Sequence, residues 1–169
     1  MGQLARLLAN GILPTFFWQV LSNYTQAYNE LIEITPAGDY GPVLVPPAVF
    51  ELVAPWYNTH IWSPPTPRVP TGALSASFDS LAAEVAYQSG PEPVVLDNVL
   101  SQHALDALLH FTRDATIWHQ VNPGGYLGAY FQEGFSCPLL LQIIEELREA
   151  LPNVIGELPL VMLWGYKYA

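Results

Sequence analysis

Between residues 35 and 75 the chain carries nine prolines: Pro36, Pro42, Pro46, Pro47, Pro55, Pro64, Pro65, Pro67 and Pro70. Each lacks an amide donor, locks its own φ and disfavours helix in the residue before it. Neither a long helix nor a central strand survives that spacing. The same stretch holds Phe50, Trp56, Tyr57, Ile61 and Trp62. A disordered linker is poor in aromatics, so residues 35–75 read as an ordered, irregular strap laid on another surface. One short helix is expected within it, at "PAVFELVAP".

The strap separates two periodic regions. In residues 1–34, Leu4, Leu7, Leu8, Ile12 and Leu13 form one apolar face. Phe16, Phe17, Val20, Leu21, Tyr24, Tyr28 and Leu31 form a second at helical spacing. Asn10-Gly11 and Pro14 mark the break between two helices, which together are similar to the end of a helical array. In residues 76–169, "ASFDSLAAEVAYQ" predicts a short helix with Phe78, Leu81 and Val85 inward. "VVLDNVL" predicts a strand with a turn at Asp97-Asn98. Ser101 then suits the N-cap of "QHALDALLHFTRD", with Ala104, Leu105, Leu108 and Leu109 on its inner face.

After a Pro123-Gly124-Gly125 turn, "YLGAYF" alternates as a strand. "SCPLLLQIIEELREALP" predicts the clearest helix, capped by Ser136, with Pro138 in its first turn and Leu139, Leu140, Ile143, Ile144, Leu147 and Leu151 on one face. "LPLVMLWGYKYA" closes the chain as a β-biased apolar run. The order from Val94 is strand, helix, strand, helix, strand, which is α+β or α/β in class. Three parts follow: a helical segment 1–34, the strap 35–75, and an α+β portion 76–169. The final strand is expected either to pair with Val94–Leu96 and "YLGAYF" or to await a missing remainder, since an exposed apolar edge aggregates.

Charge narrows the partners. Five Lys and Arg stand against fifteen Asp and Glu, a net charge of -10. Nucleic acid and anionic membrane both need clustered cations, so neither is expected. Charged residues are only 12% of the chain, well below the usual quarter, which suggests that apolar surface is covered by a partner. The single Cys137 excludes an internal disulfide framework and suits a reducing compartment. "LLANGILPTFFWQVL" is interrupted by Asn10, Gly11, Pro14 and Gln19, so neither a leader nor a membrane span is expected. Gly2 is not followed by a Ser or Thr at position 6, as myristoylation asks, because Arg6 stands there. The expected compartment is the cytoplasm.

The blocks "PVVLDNVLSQHALDALLHF", "TIWHQV", "GGYLGAYFQEGFSCPLLLQIIEELREALP" and "LPLVMLWGYKY" together resemble a family. It is a bacterial branch of the iron(II)/2-oxoglutarate-dependent oxygenases related to prolyl hydroxylases. "YNTHIW" and "TPRVPTGAL" are similar to the segment that precedes such domains downstream of tetratricopeptide repeats. The resemblance covers about residues 50–169 and implies the N-terminal part of a double-stranded β-helix, or jelly roll.

It also implies iron(II) and 2-oxoglutarate as cofactors of the complete protein. Iron in that family sits on a His-x-Asp/Glu pair and a distant His. Two residues after His60, His103, His110 and His119 stand Trp62, Leu105, Thr112 and Val121. None is acidic, so this chain is expected to supply support rather than the metal site, and to be inactive alone. The missing C-terminal half of the domain, or another protein, is the implied partner. By the same resemblance Tyr166 and Tyr168 are the candidate contacts to 2-oxoglutarate, with Lys167 on the opposite face by strand alternation. Strand aromatics alone would look the same.

Other residues read more plainly. Trp118 and His119 suit a helix–strand junction. Pro123-Gly124-Gly125 lacks the lysine and following helix of a phosphate loop. Cys137 suits a small buried hydrophobe better than a reactive thiol. Glu145 and Glu146 diverge on their helix and read as a solvated face. A hydrolase using Ser136 or Cys137 with His119 shows no nucleophile elbow. The alternative to an oxygenase fragment is a non-catalytic α+β binding module.

Overall fold

The computed structural model describes residues 2–35, 43–90, 93–122 and 125–168. The chain divides into two compact units, 1–62 and 63–169, with the division inside the proline-rich strap.

The first unit is helical. Helix α1 (Gly2–Ala9) and helix α2 (Phe17–Ile34) are separated where the sequence predicts. Gly11 supplies the reason: at φ 67 its amide donates to Leu8 O, and the Ile12 amide reaches back to Leu7 O. This is a Schellman stop, which needs a left-handed residue after the helix. Leu4, Leu7, Leu8, Leu13, Phe17 and Val20 pack together, joined by Trp56, Ile61 and Trp62 from the strap. The expected short helix forms as α3 (Pro47–Val53), with proline in its first turn. It lays Val49 and Val53 against Ala27, and Asn23 Nδ2 donates to Leu52 O at 3.1 Å.

The second unit mixes helices with a small antiparallel sheet, so α+β holds for the chain. Helix α4 (Ser80–Gln88) begins later than predicted, because Asp79 caps it by accepting from the Ala82 amide at 2.9 Å. Its expected inner residues Leu81 and Val85 are exposed. Ala83 and Glu84 are buried instead, and the Glu84 carboxylate accepts from the Asn153 amide and from its Nδ2, both at 2.8 Å. An ion-paired or hydrogen-bonded carboxylate tolerates burial that a bare one does not.

No strand forms over Val94–Leu96, which corrects the expected strand-first order. The left-handed Asn98 (φ 53) breaks the extended run. Only a bridge between Leu74 and Leu100 remains, flanked by Ser75 N to Val99 O and Ser101 N to Ala73 O. The final strand therefore has no partner there.

Helix α5 (Gln102–Asp114) matches its predicted span, and Ser101 caps it through the Ala104 amide. Its inner stripe is Ala104, Ala107, Leu108 and Phe111, whereas Leu105 and Leu109 are exposed. Phe111 is fully buried, which stabilises by about 1.5–3 kcal/mol relative to exposure. Strands β1 (Gln120–Asn122), β2 (Tyr126–Tyr130) and β3 (Trp164–Tyr168) form one sheet in the order β1-β2-β3. A 3₁₀ turn (Phe131–Glu133) leads from β2 towards helix α6 (Pro138–Ala150). Pro123 and Gly124 lie outside the described residues; Gly125 closes the hairpin at φ 76, donating to Asn122 O.

Ser136 does not cap α6. Cys137 occupies the N-cap position with no side-chain hydrogen bond, and the strap does the work instead: Thr66 O accepts from the Leu139 amide. Further along α6, Gln142 grips Val69, accepting from its amide at 2.6 Å and donating to its carbonyl at 2.8 Å. Glu146 then accepts from the amides of Ala73 and Leu74. The prolines deny the strap regular partners, so side chains of α6 satisfy its backbone groups.

Candidate functional site

The register of the sheet sorts its side chains into two faces. Tyr126 lies opposite Tyr168, Gly128 opposite Tyr166 and Tyr130 opposite Trp164. On the far strand, Gln120 lies opposite Gly128 and Asn122 opposite Tyr126. One face therefore carries Gln120, Asn122, Tyr126, Tyr130, Trp164, Tyr166 and Tyr168. The other carries Ala129, Gly165 and Lys167. Ala129 is buried, and a Cβ on Gly165 would meet Phe135 Cζ at 2.9 Å, so this second face rests on the core.

Tyr166 and Tyr168 thus share a face, with Lys167 on the other, as alternation predicts. The Tyr126 ring meets Tyr166 edge-on at 4.9 Å between centroids, and Tyr168 lies tilted at 5.6 Å. Such edge contacts are the arrangement that the ring quadrupoles favour. Partial desolvation pushes the Tyr166 phenol above its ordinary range; Tyr130, which also hydrogen-bonds to it, and Tyr168 push the same way. The phenol therefore keeps its proton at neutral pH, engaged with Tyr130. Among the residues of this face none carries a charge.

A second cluster lies beside the sheet. His119 Nε2 stands 3.9 Å from Glu133 Oε2, and Gln120 Nε2 donates to Glu133 Oε1 at 2.8 Å. His119 Nδ1 and Glu133 Oε2 are both buried without a hydrogen-bond partner. Trp118 Nε1 donates to Thr112 O at 2.7 Å, which anchors this junction to the end of α5. Within the second unit the other histidines lie elsewhere: His110 pairs with Asp114 within its own helix, and His103 lies exposed on α5. Among the described residues no three His, Cys, Asp or Glu side chains converge. His119 with Glu133 offers two ligands where mononuclear iron needs three, so the residues described do not fit that metal.

Burial pushes the Cys137 thiol up, while the amides of Leu140 and Leu139 pull it down by less. A raised thiol is the opposite of an activated nucleophile. Glu145 reads as predicted, exposed and paired with Arg68 at 2.6 Å. Glu146 does not: it is turned inward onto Ala73 and Leu74. The signal available for it was its spacing, since Leu139, Gln142, Ile143 and Glu146 fall on one helical stripe. Polar residues inside an apolar stripe point to buried hydrogen bonding. His119 and Glu133 are fourteen residues apart in sequence, and no local pattern joins them.

No family model, no curated protein and no solved structure matches the chain.

Proposed function

We propose that this chain forms the support layer of an iron(II)/2-oxoglutarate-dependent oxygenase. Its sheet would be the N-terminal part of a jelly roll whose metal-bearing strands lie outside this sequence. The observation that carries the reading is the tyrosine face beside an open strand edge: among the described residues β3 is an edge strand, and Tyr166 and Tyr168 project from it together. In this role the protonated Tyr166 phenol would donate to a carboxylate oxygen of the cosubstrate. Tyr168, more exposed, would close the same wall. Iron and 2-oxoglutarate supply the oxidising chemistry in the complete protein; this chain's residues bind and orient. Since its described residues do not fit iron, no metal step is assigned to them.

The test has two parts. The coding DNA past codon 169 should hold an open frame with a His-x-Asp/Glu and a later His, and a stop there would count against the reading. A protein extended to include them should bind 2-oxoglutarate in an iron-dependent way by calorimetry, more weakly after Tyr166→Phe. The 169-residue chain alone should show no such binding, and micromolar iron-dependent binding by it would overturn the assignment. An extended protein that binds no cosubstrate would do the same.

A second reading is a non-catalytic interaction module. It draws on the helical unit, where Phe16, Trp18, Tyr28, Ile32 and Leu44 are all exposed. Single exposed apolar residues are ordinary, but several on one small unit mark contact surface.

A further inference from the structure

The hydrogen-bond parity of β3 shows what kind of strand its open edge accepts. The Phe131 amide donates to Leu163 O at 3.0 Å, directly continuing the β2–β3 register. In an antiparallel ladder bonded pairs alternate, so Gly165 and Lys167 turn their backbone groups to β2. Trp164, Tyr166 and Tyr168 turn theirs outward, with no strand beyond them among the described residues. A further strand pairing there would place its intervening side chains opposite Gly165 and Lys167, on the core side of the sheet. Those are the non-bonded positions, where opposing side chains come closest.

The two positions make different demands. Opposite Gly165 a side chain would lie beside Phe135, which approaches a Gly165 Cβ position to 2.9 Å, and beside Trp118 at 3.3 Å. That neighbourhood is apolar. Opposite Lys167 it would face the one ammonium of the sheet, on an edge with no acid of its own. Opposite charges across strands attract and like charges repel.

We propose that the β3 edge accepts an antiparallel strand, from outside these 169 residues rather than from a second copy of them, that reads acid-x-apolar in chain order. The acid pairs with Lys167 and the apolar residue extends the Phe135 cluster over Gly165. A second copy of this chain does not meet these demands. Pairing β3 with itself about Tyr166 sets Lys167 of each copy over Gly165 of the other, which puts an ammonium beside Phe135. The net charge of -10 adds repulsion between copies. Main-chain hydrogen bonds supply affinity in such strand addition and the alternate side chains supply specificity.

The proposed function bears on this inference only in saying where the strand belongs, namely to the metal-bearing strands of the jelly roll. The test uses the 169-residue chain and a synthetic nine-residue peptide of alternating threonine and valine. Its core-side residues include a glutamate and, two residues later, a leucine. Controls carry lysine for the glutamate, or the leucine and glutamate in reversed order. Hydrogen exchange should slow by about tenfold or more at the amides of Trp164, Tyr166 and Tyr168, since unpaired edge amides exchange freely. Gly165 and Lys167 should change little. Lys167→Glu should weaken the glutamate peptide by about threefold to tenfold and favour the lysine control, in line with cross-strand charge pairs.

Three results would overturn the proposal: no protection at the three amides, protection that rises with protein concentration without peptide, or indifference to the charge swap. Strand binding in a protein whose extended form takes no cosubstrate would uphold the edge inference and remove the oxygenase reading. The reverse pattern would do the opposite.

Discussion

Replacing Gln142 with Met removes the amide that grips Val69 while keeping the side chain's length. In the native protein Gln142 Oε1 accepts from the Val69 amide and Nε2 donates to the Val69 carbonyl. Both residues are 4% exposed, so water has little access to replace these bonds. Each buried backbone group left without a partner costs about 1–3 kcal/mol. Two such groups cost about 2–6 kcal/mol, from which Met recovers part because a buried amide no longer has to be desolvated. The net loss is about 2–4 kcal/mol, a large share of the ~5–15 kcal/mol that holds a domain folded. A unit of this size shifts by about 4–8 °C per kcal/mol, so the melting temperature of Gln142→Met should fall by about 8–32 °C. Urea unfolding followed by tryptophan fluorescence would measure it, with the slope held constant as the check that only stability changed. Gln142→Glu should be worse at neutral pH, because a carboxylate would then face both the Val69 carbonyl and Glu146. A Gln142→Met protein within about 0.5 kcal/mol of wild type, the scale of an ordinary surface substitution, would refute the clamp.

Other expectations follow from the same unit. Burial acts to raise the Glu146 carboxyl, but the amide of Leu74, Gln142, the amide of Ala73 and the more distant Arg68 outweigh it and hold it below its ordinary value of 4.5. A depressed carboxyl stabilises fully above its unfolded value and loses that contribution as pH falls through its folded value. Chemical denaturation from pH 7 downwards should therefore show a loss of stability below 4.5, and Glu146→Gln should flatten it. Gly165→Ala would drive a methyl into Phe135 at 2.9 Å, and overpacking of this kind costs about 1–3 kcal/mol, readable as a lower melting temperature. Ser101→Ala removes the cap of α5 and should cost about 1 kcal/mol by the same melt. Tyr166→Phe should leave stability within about 0.5 kcal/mol, as surface substitutions do; a larger loss would make Tyr166 a structural residue rather than a binding one.

Local signals were legible at several helix ends, though the Asp79 cap of α4 was missed. Gly11 ends α1, Ser101 starts α5 and Pro138 opens α6, and all are readable in sequence because capping depends on near neighbours. The β2 and β3 strands were legible from alternation, and with them the shared face of Tyr166 and Tyr168. The inward faces were less so. Leu81, Val85, Leu105 and Leu109 are apolar yet exposed, since hydrophobic spacing tells which residues share a face but not which face finds a partner. For Glu146 the helical stripe was legible but its partners were not, because its donors on Ala73 and Leu74 are more than seventy residues away.

The sequence by itself determined the α+β class, the irregular strap and the periods of its helices and strands, because these follow from backbone sterics, proline and local capping. Only the tertiary structure decided the rest. It chose the strap rather than Ser136 to satisfy the start of α6, and it buried Gln142 and turned Glu146 inward to complete the strap's backbone. It also turned Val94–Leu96 away from the sheet and left the β3 edge facing outward. Each of these depends on hydrogen-bond partners distant in the chain, and every buried donor or acceptor must find one.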